Sequence, residues 1–190
     1  MSRINPILVA TLLATGLPVH AEQNAALDDE ARGIVKSFFS SLKGELVASL
    51  ESGGPVEAIK VCNERAPALA DEAAAASGWR VARTSLKLRN PANAPDAWET
   101  AVLRNFEASA AAGEDPKKIE FSAVVDQQGQ RTYRYMKAIP TAEKPCLACH
   151  GKTLAPQVAE RLKELYPDDR ATGYAAGEIR GAFTLSRPMQ

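Results

Sequence analysis

Apolar residues recur at three- and four-residue steps from Leu27 through Ala31, Ile34, Phe38, Leu42 and Leu46 to Leu50. That is the period of a helix with one buried stripe, and Asp28, Asp29 and Glu30 lie at the end where the helix dipole favours negative charge. The pattern predicts a long amphipathic helix over about residues 27–50. Ser52-Gly53-Gly54 interrupts it, and Pro55 suits the first turn of a second helix over 55–77, with Gly78 as its stop. Ile59, Cys62, Ala66, Leu69 and Ala73 then share a face, so Cys62 points inward with the apolar stripe.

Residues 79–86 read as extended, and Arg89-Asn90-Pro91-Ala92-Asn93-Ala94-Pro95 is too rich in proline and asparagine for helix or central strand. A third helix is predicted over 96–112, with Trp98, Val102, Phe106 and Ala110 inward and Gly113 beyond its end. Residues 119–125 and 132–139 are strand-like, joined by Asp126-Gln127-Gln128-Gly129 as a hairpin loop. A short helix over 155–165 and a last strand over 178–186 complete the pass, the latter after a loop loosened by Gly173 and Gly177. Helices first and an antiparallel sheet afterwards predict a single α+β domain.

The first residues have a different pattern. Arg3, an apolar run over 7–14 and Val19-His20-Ala21 predict a secretory signal peptide over 1–21, leaving a domain over 22–190 and a periplasmic destination. Pro6, Gly16 and Pro18 keep the apolar run short of the roughly 20 residues that span a bilayer, so no membrane span is expected after cleavage. The 190-residue chain carries 23 basic and 23 acidic residues, and the predicted cleavage removes Arg3 alone. With no surplus of Lys and Arg to displace phosphate counterions, nucleic acid is excluded as a partner.

Three cysteines in an exported chain leave an odd thiol or mark cysteines used for something other than a disulfide. Cys146-Leu147-Ala148-Cys149-His150 has the C-x-x-C-H spacing of covalent haem c attachment. Two thiols one turn apart can add to the two vinyl groups of one porphyrin, and the adjoining His150 then becomes the proximal iron ligand. A structural disulfide would leave His150 unexplained. A thioredoxin-like pair would want a βαβ setting, and zinc a fourth ligand from a chain with two histidines.

The sixth ligand stays open on the residues alone. His20 departs with the signal peptide, which leaves Cys62, Met136, Met189, a lysine, an amine terminus or an open site. A lone inward cysteine is most often a small hydrophobe. Arg83, Arg89, Arg134 and Arg180 are candidates for the haem propionates, because guanidinium forks match carboxylates.

Cys62, Arg83-Thr84-Ser85, the loop Arg89 to Pro95 with Asp96-Ala97-Trp98-Glu99, Cys146 to Gly151, and Gly173-Tyr174-Ala175-Ala176-Gly177-Glu178-Ile179-Arg180-Gly181-Ala182 together resemble the PAS-like c-type haem domain family. That family occurs alone and as the periplasmic sensor of histidine kinases. The resemblance implies a PAS-like antiparallel sheet flanked by N-terminal helices, and one covalent haem with a His/Cys axial pair. Carried over, His150 is the proximal ligand and Cys62 the distal one. A thiolate ligand stabilises ferric iron, so a low potential is expected. The leading expectation is a periplasmic single-haem electron carrier that is not an enzyme and serves an unidentified redox or signalling partner protein. The alternative is a haem-based sensor of redox state or of a diatomic gas.

Overall fold

The computed structural model describes residues 19–189. Residues 1–18, most of the expected signal peptide, lie outside them, as do the side chains of 19–22. No helix among the described residues is long and apolar enough to cross a membrane.

Helix α1, Val19–Lys60, carries the predicted stripe onto the sheet through Val35, Phe38 and Leu42. The break at Ser52-Gly53-Gly54 is a kink within this helical run: Gly54 alone leaves helical geometry, at φ 71° and ψ −172°, immediately before Pro55. A positive φ costs glycine little, and proline after it tolerates the lost hydrogen bond, so the pair bends the helix without a loop.

The second helix departs from its expected course. Residues 61–65 form a π turn, Val61–Arg65, closed by the Ala66 N–H bond to the Val61 carbonyl, before α2, Ala66–Ser77. The extra residue in that turn rotates the stripe beyond it. Ile59 therefore packs with Val158, Leu162 and Tyr166, whereas Val61, Ala66 and Leu69 join the core between α1 and the sheet. The single inward face expected for Ile59, Cys62 and Leu69 is thus split, and Cys62 sits in the π turn where the split occurs. Gly78, at φ 72°, ends α2 as predicted.

Strands β1 (Arg80–Thr84), β2 (Glu120–Gln127), β3 (Gln130–Pro140) and β4 (Ile179–Pro188) form one antiparallel sheet in the order β1-β4-β3-β2. The hairpin loop is tighter than expected, with Gln128 and Gly129 at φ 57° and 83° forming a two-residue turn. Helix α3, Ala97–Ala111, starts in a reciprocal capping box between Asp96 and Glu99. It covers the face opposite α1, packing Val102, Leu103 and Phe106 on Met136, Ala138 and Ala182. The expected α+β architecture, an antiparallel sheet flanked by helices, is the observed one. A one-turn helix α4, Leu147–His150, and helix α5, Pro156–Leu165, lie between β3 and β4.

The pairing of β3 with β4 is irregular at one end. Ala138 pairs with Ala182 and Ile139 with Gly181, but Pro140 pairs with Ile179, which leaves Arg180 as the extra residue of a bulge. A bulge re-aims one side chain out of the strand's alternation.

Candidate cofactor site

The second half of α1, the π turn and the sheet border a cavity of about 180 Å³ that opens to solvent. Leu42, Leu46 and Ile59 line its helical wall, and Ile139 and Gly181 its sheet wall. A recess with apolar walls and a few convergent polar groups is the kind of place where proteins hold cofactors. Cys62, Arg83, Arg89, Cys146, Cys149, His150 and Arg180 all border it. Met136 and Met189 do not: Met136 is fully buried beneath α3, and Met189 packs at the edge of the other core.

The segment carrying Cys146, Cys149 and His150 is held in shape at both ends. Inside α4 the Cys149 and His150 N–H groups bond the Cys146 carbonyl at 3.2 and 2.9 Å, which places the two cysteines one turn apart. Beyond it, the Tyr174 N–H donates to the His150 carbonyl and the Gly173 N–H to the Gly151 carbonyl, both at 3.0 Å. All three cysteines carry unbridged sulfurs. Burial pushes the Cys149 thiol up from its ordinary value, partly offset by Arg89.

The ring of His150 is oriented by a buried carbonyl. Its Nδ1 lies 2.7 Å from the Ala171 oxygen and 3.2 Å from Nε of Arg180. Both contacts cannot be hydrogen bonds in one tautomer, since Nδ1 either donates or accepts. A carbonyl offers only lone pairs, so the shorter contact requires a proton on Nδ1, and Arg180 is then a close neighbour rather than a donor. The lone pair is left on Nε2, the form in which imidazole binds a metal. Burial first, then the charges of Arg180, Arg89 and Arg83, bring the ring's pKa down to about 2, so it stays neutral. Tyr174 meets the ring edge-on at 6.3 Å and is itself capped by Lys87 at 4.7 Å.

The four arginines part company. Arg89 donates from Nε to Asp169 at 3.0 Å, and from Nη2 to the Cys149 carbonyl at 2.6 Å and the Ala171 carbonyl at 3.3 Å. Arg180, re-aimed by the bulge, donates to the Ser85 hydroxyl at 2.7 Å and the Lys87 carbonyl at 3.3 Å. Among the described residues Arg83 has no hydrogen-bond or ion-pair partner; burial pulls its pKa down, and Cys62 and Tyr166 are the acidic groups near enough to oppose that. Arg134 is a correction to the sequence reading. It lies on the α3 side, 2.7 Å from Asp96 and 3.1 Å from Glu99 under the ring of Trp98, because alternation along β3 puts it with Met136 and not with the cavity wall.

Sequence reasoning missed Asp169, Ala171, Tyr174 and Ser85 as partners of these groups. Tyr174 was marked by the glycine-bounded loop around it, whereas a backbone carbonyl such as that of Ala171 leaves no trace in a sequence.

The donors fit a porphyrin better than a bare ion. No cluster of three or more His, Cys, Asp or Glu side chains placed to hold a metal ion exists among the described residues. What converges instead is a pair of thiols, a neutral imidazole, a third thiol on another wall and an unpartnered guanidinium, around a space with apolar sides. That set suits a flat, apolar, dicarboxylate macrocycle with a central metal.

Comparison with known proteins gives two matches. A family model described as Tll0287-like matches residues 8–188. The crystal structure of the cyanobacterial haem protein Tll0287 superposes with a TM-score of 0.60 at 28% identity, covering 85% of this chain and 96% of that one. No curated protein matches.

Proposed function

The chain belongs to the Tll0287-like family, and from that premise, with the geometry of the cavity, we infer that it is a single-haem c-type cytochrome serving as a low-potential electron carrier in the periplasm. The observation that carries the reading is the convergence of Cys146, Cys149 and His150 on one cavity wall with Cys62 on another. Cys146 and Cys149 would supply the two thioether sulfurs, and His150 would present Nε2 while Ala171 fixes its ring. Cys62 would supply the second axial donor, and Arg83 and Arg180 would face the propionates. A bound haem contributes a one-electron ferric/ferrous couple, which a thiolate donor shifts towards the ferric state. The apolar walls limit water around that couple, and no residue of the cavity is assigned substrate chemistry. Residues 1–21 would direct export and leave on cleavage.

The test is electron paramagnetic resonance of the ferric protein and of Cys62→Ala. A low-spin thiolate signal lost in the variant is expected; its absence from the wild type, or persistence in the variant, overturns the His/Cys assignment. Mass spectrometry checks the covalent haem.

One observation favours a second reading. Cys62 lies in a π turn just beyond a kink, and such turns accommodate local rearrangement. A ligand that leaves on reduction would make the protein a sensor of redox state or of a diatomic gas, acting through a separate partner protein. Spectra of the reduced protein with and without CO separate the two: a carrier stays six-coordinate, a sensor binds CO.

A further inference from the structure

Arg89, a propionate candidate on the sequence, spends its Nε and Nη2 donors on protein groups: Asp169 and the carbonyls of Cys149 and Ala171. It is 8% exposed, and the side chain of Asp169, its ion-pair partner at 2.9 Å, is largely shielded beside it. Its Nη2 donates to carbonyls of the two segments that frame the imidazole. One is Cys149, the residue before His150; the other is Ala171, whose oxygen accepts the hydrogen bond from His150 Nδ1–H. Asp169 closes the ring by accepting the Ala171 N–H at 2.7 Å.

The Ala171 carbonyl is therefore shared between a neutral imidazole and a permanent cation. A carbonyl already polarised by a guanidinium is a poorer acceptor for a second donor. Its pull on Nδ1–H weakens, and the ring keeps less of the anionic character that would make Nε2 a stronger donor. We infer that Arg89 is a positioning residue for His150 that holds down its donor strength through the shared Ala171 carbonyl and so raises the potential of the metal it binds. The inference rests on the proposed haem ligation by His150. The quantity it would affect is the ferric/ferrous equilibrium of a bound haem, one electron exchanged with an added chemical reductant or oxidant and no bond made or broken at Arg89. Arg180 and Arg83 also bear positive charge on this region, and Lys87 caps Tyr174, so through-space charge alone is the competing explanation.

Two variants of the full holoprotein separate the explanations. Arg89→Lys keeps the charge, but a single ammonium cannot reach Asp169, Cys149 and Ala171 together. Arg89→Gln combined with Asp169→Asn removes both charges at once, leaving no orphaned buried ion and no net change of local charge. If Arg89 acts through the carbonyl, the potential falls in both, by about tenfold in the ferric/ferrous equilibrium, or about 59 mV for one electron. The ferric paramagnetic resonance g-values shift with it, a readout that loss of fold stability alone does not move. Should Arg89→Lys not fold, the paired variant decides. Haem-bearing variants with the wild-type potential overturn the inference and leave the haem reading standing; a wild type without covalent haem overturns both.

Discussion

Gly151 is pressed against Leu147: a Cβ on the glycine would stand 2.6 Å from the Leu147 carbonyl oxygen, which accepts the Gly151 N–H at 3.0 Å. The residue after His150 is thus held to hydrogen by contact with backbone, which cannot rotate away as a side chain could. Gly151→Ala is expected to cost about 1–3 kcal/mol, the usual range for overpacking. It should also lower the fraction of chains bearing covalent haem, read by mass spectrometry beside thermal melts.

Glu120 ties β2 to α1 and β3 through Arg32, Lys137 and Tyr135. Burial alone would raise its pKa, but hydrogen bonds from those three groups outweigh it and bring the value from 4.5 to about 2. A depressed carboxyl pKa contributes stability that is complete above the unfolded value and lost as pH falls through the folded one. The loss should therefore run from about pH 4.5 down to about 2. Because the cluster is partly open to water, about 1 kcal/mol is expected after screening. Glu120→Gln should flatten that part of the melting curve against pH; an unchanged acid limb would exclude the role.

Glu99 and Arg134 form a buried pair on the α3 side of the sheet, with Thr184 donating to Glu99 at 2.7 Å. Removing Glu99 leaves Arg134 with the half-exposed Asp96 at 2.7 Å as its remaining ionic partner, and Thr184 without its acceptor. Glu99→Ala is expected to destabilise the fold by about 1–3 kcal/mol. The absorption spectrum of whatever holoprotein survives should match the wild type, because this pair lies across the sheet from the cavity.

Arg83 carries opposite expectations in the two forms of the protein. Without haem, its charge is desolvated with no partner among the described residues, so Arg83→Leu should melt higher than the wild-type apoprotein. With haem, the same change removes a charge-assisted bond to a propionate, expected to cost about 1.5–3 kcal/mol. Calorimetry of both forms reads the two signs, and equal shifts would remove Arg83 from the propionate site.

Features that depend on neighbours in sequence were legible before the structure. The stripe from Leu27 to Leu50, the Asp96–Glu99 cap, the hairpin and the Cys146 to His150 turn all declare themselves within a few residues. The π turn at Cys62 did not, because an added residue changes only the phase of a stripe, and alanines around it blur that phase. Arg134 was misplaced although its parity with Met136 and Ala138 along β3 was available. Arg180 reaches the cavity through a bulge, which alternation cannot foresee. Asp169 and the Ala171 carbonyl join Arg89 and His150 only through contacts tens of residues apart.

The strand order has a consequence in time as well as in space. β4 is last of the four strands along the chain, yet it lies between β1 and β3. Until it inserts, β1 has no partner in the sheet and the wall containing Gly181 does not exist. Such distant pairing is slow to form because the intervening chain must first close on itself. Cys146 to His150 precede β4, so a nascent chain presents this segment as open polypeptide before the pocket around it is built. Chemistry at the two thiols has its easiest access in that interval, and sheet completion then closes over the result.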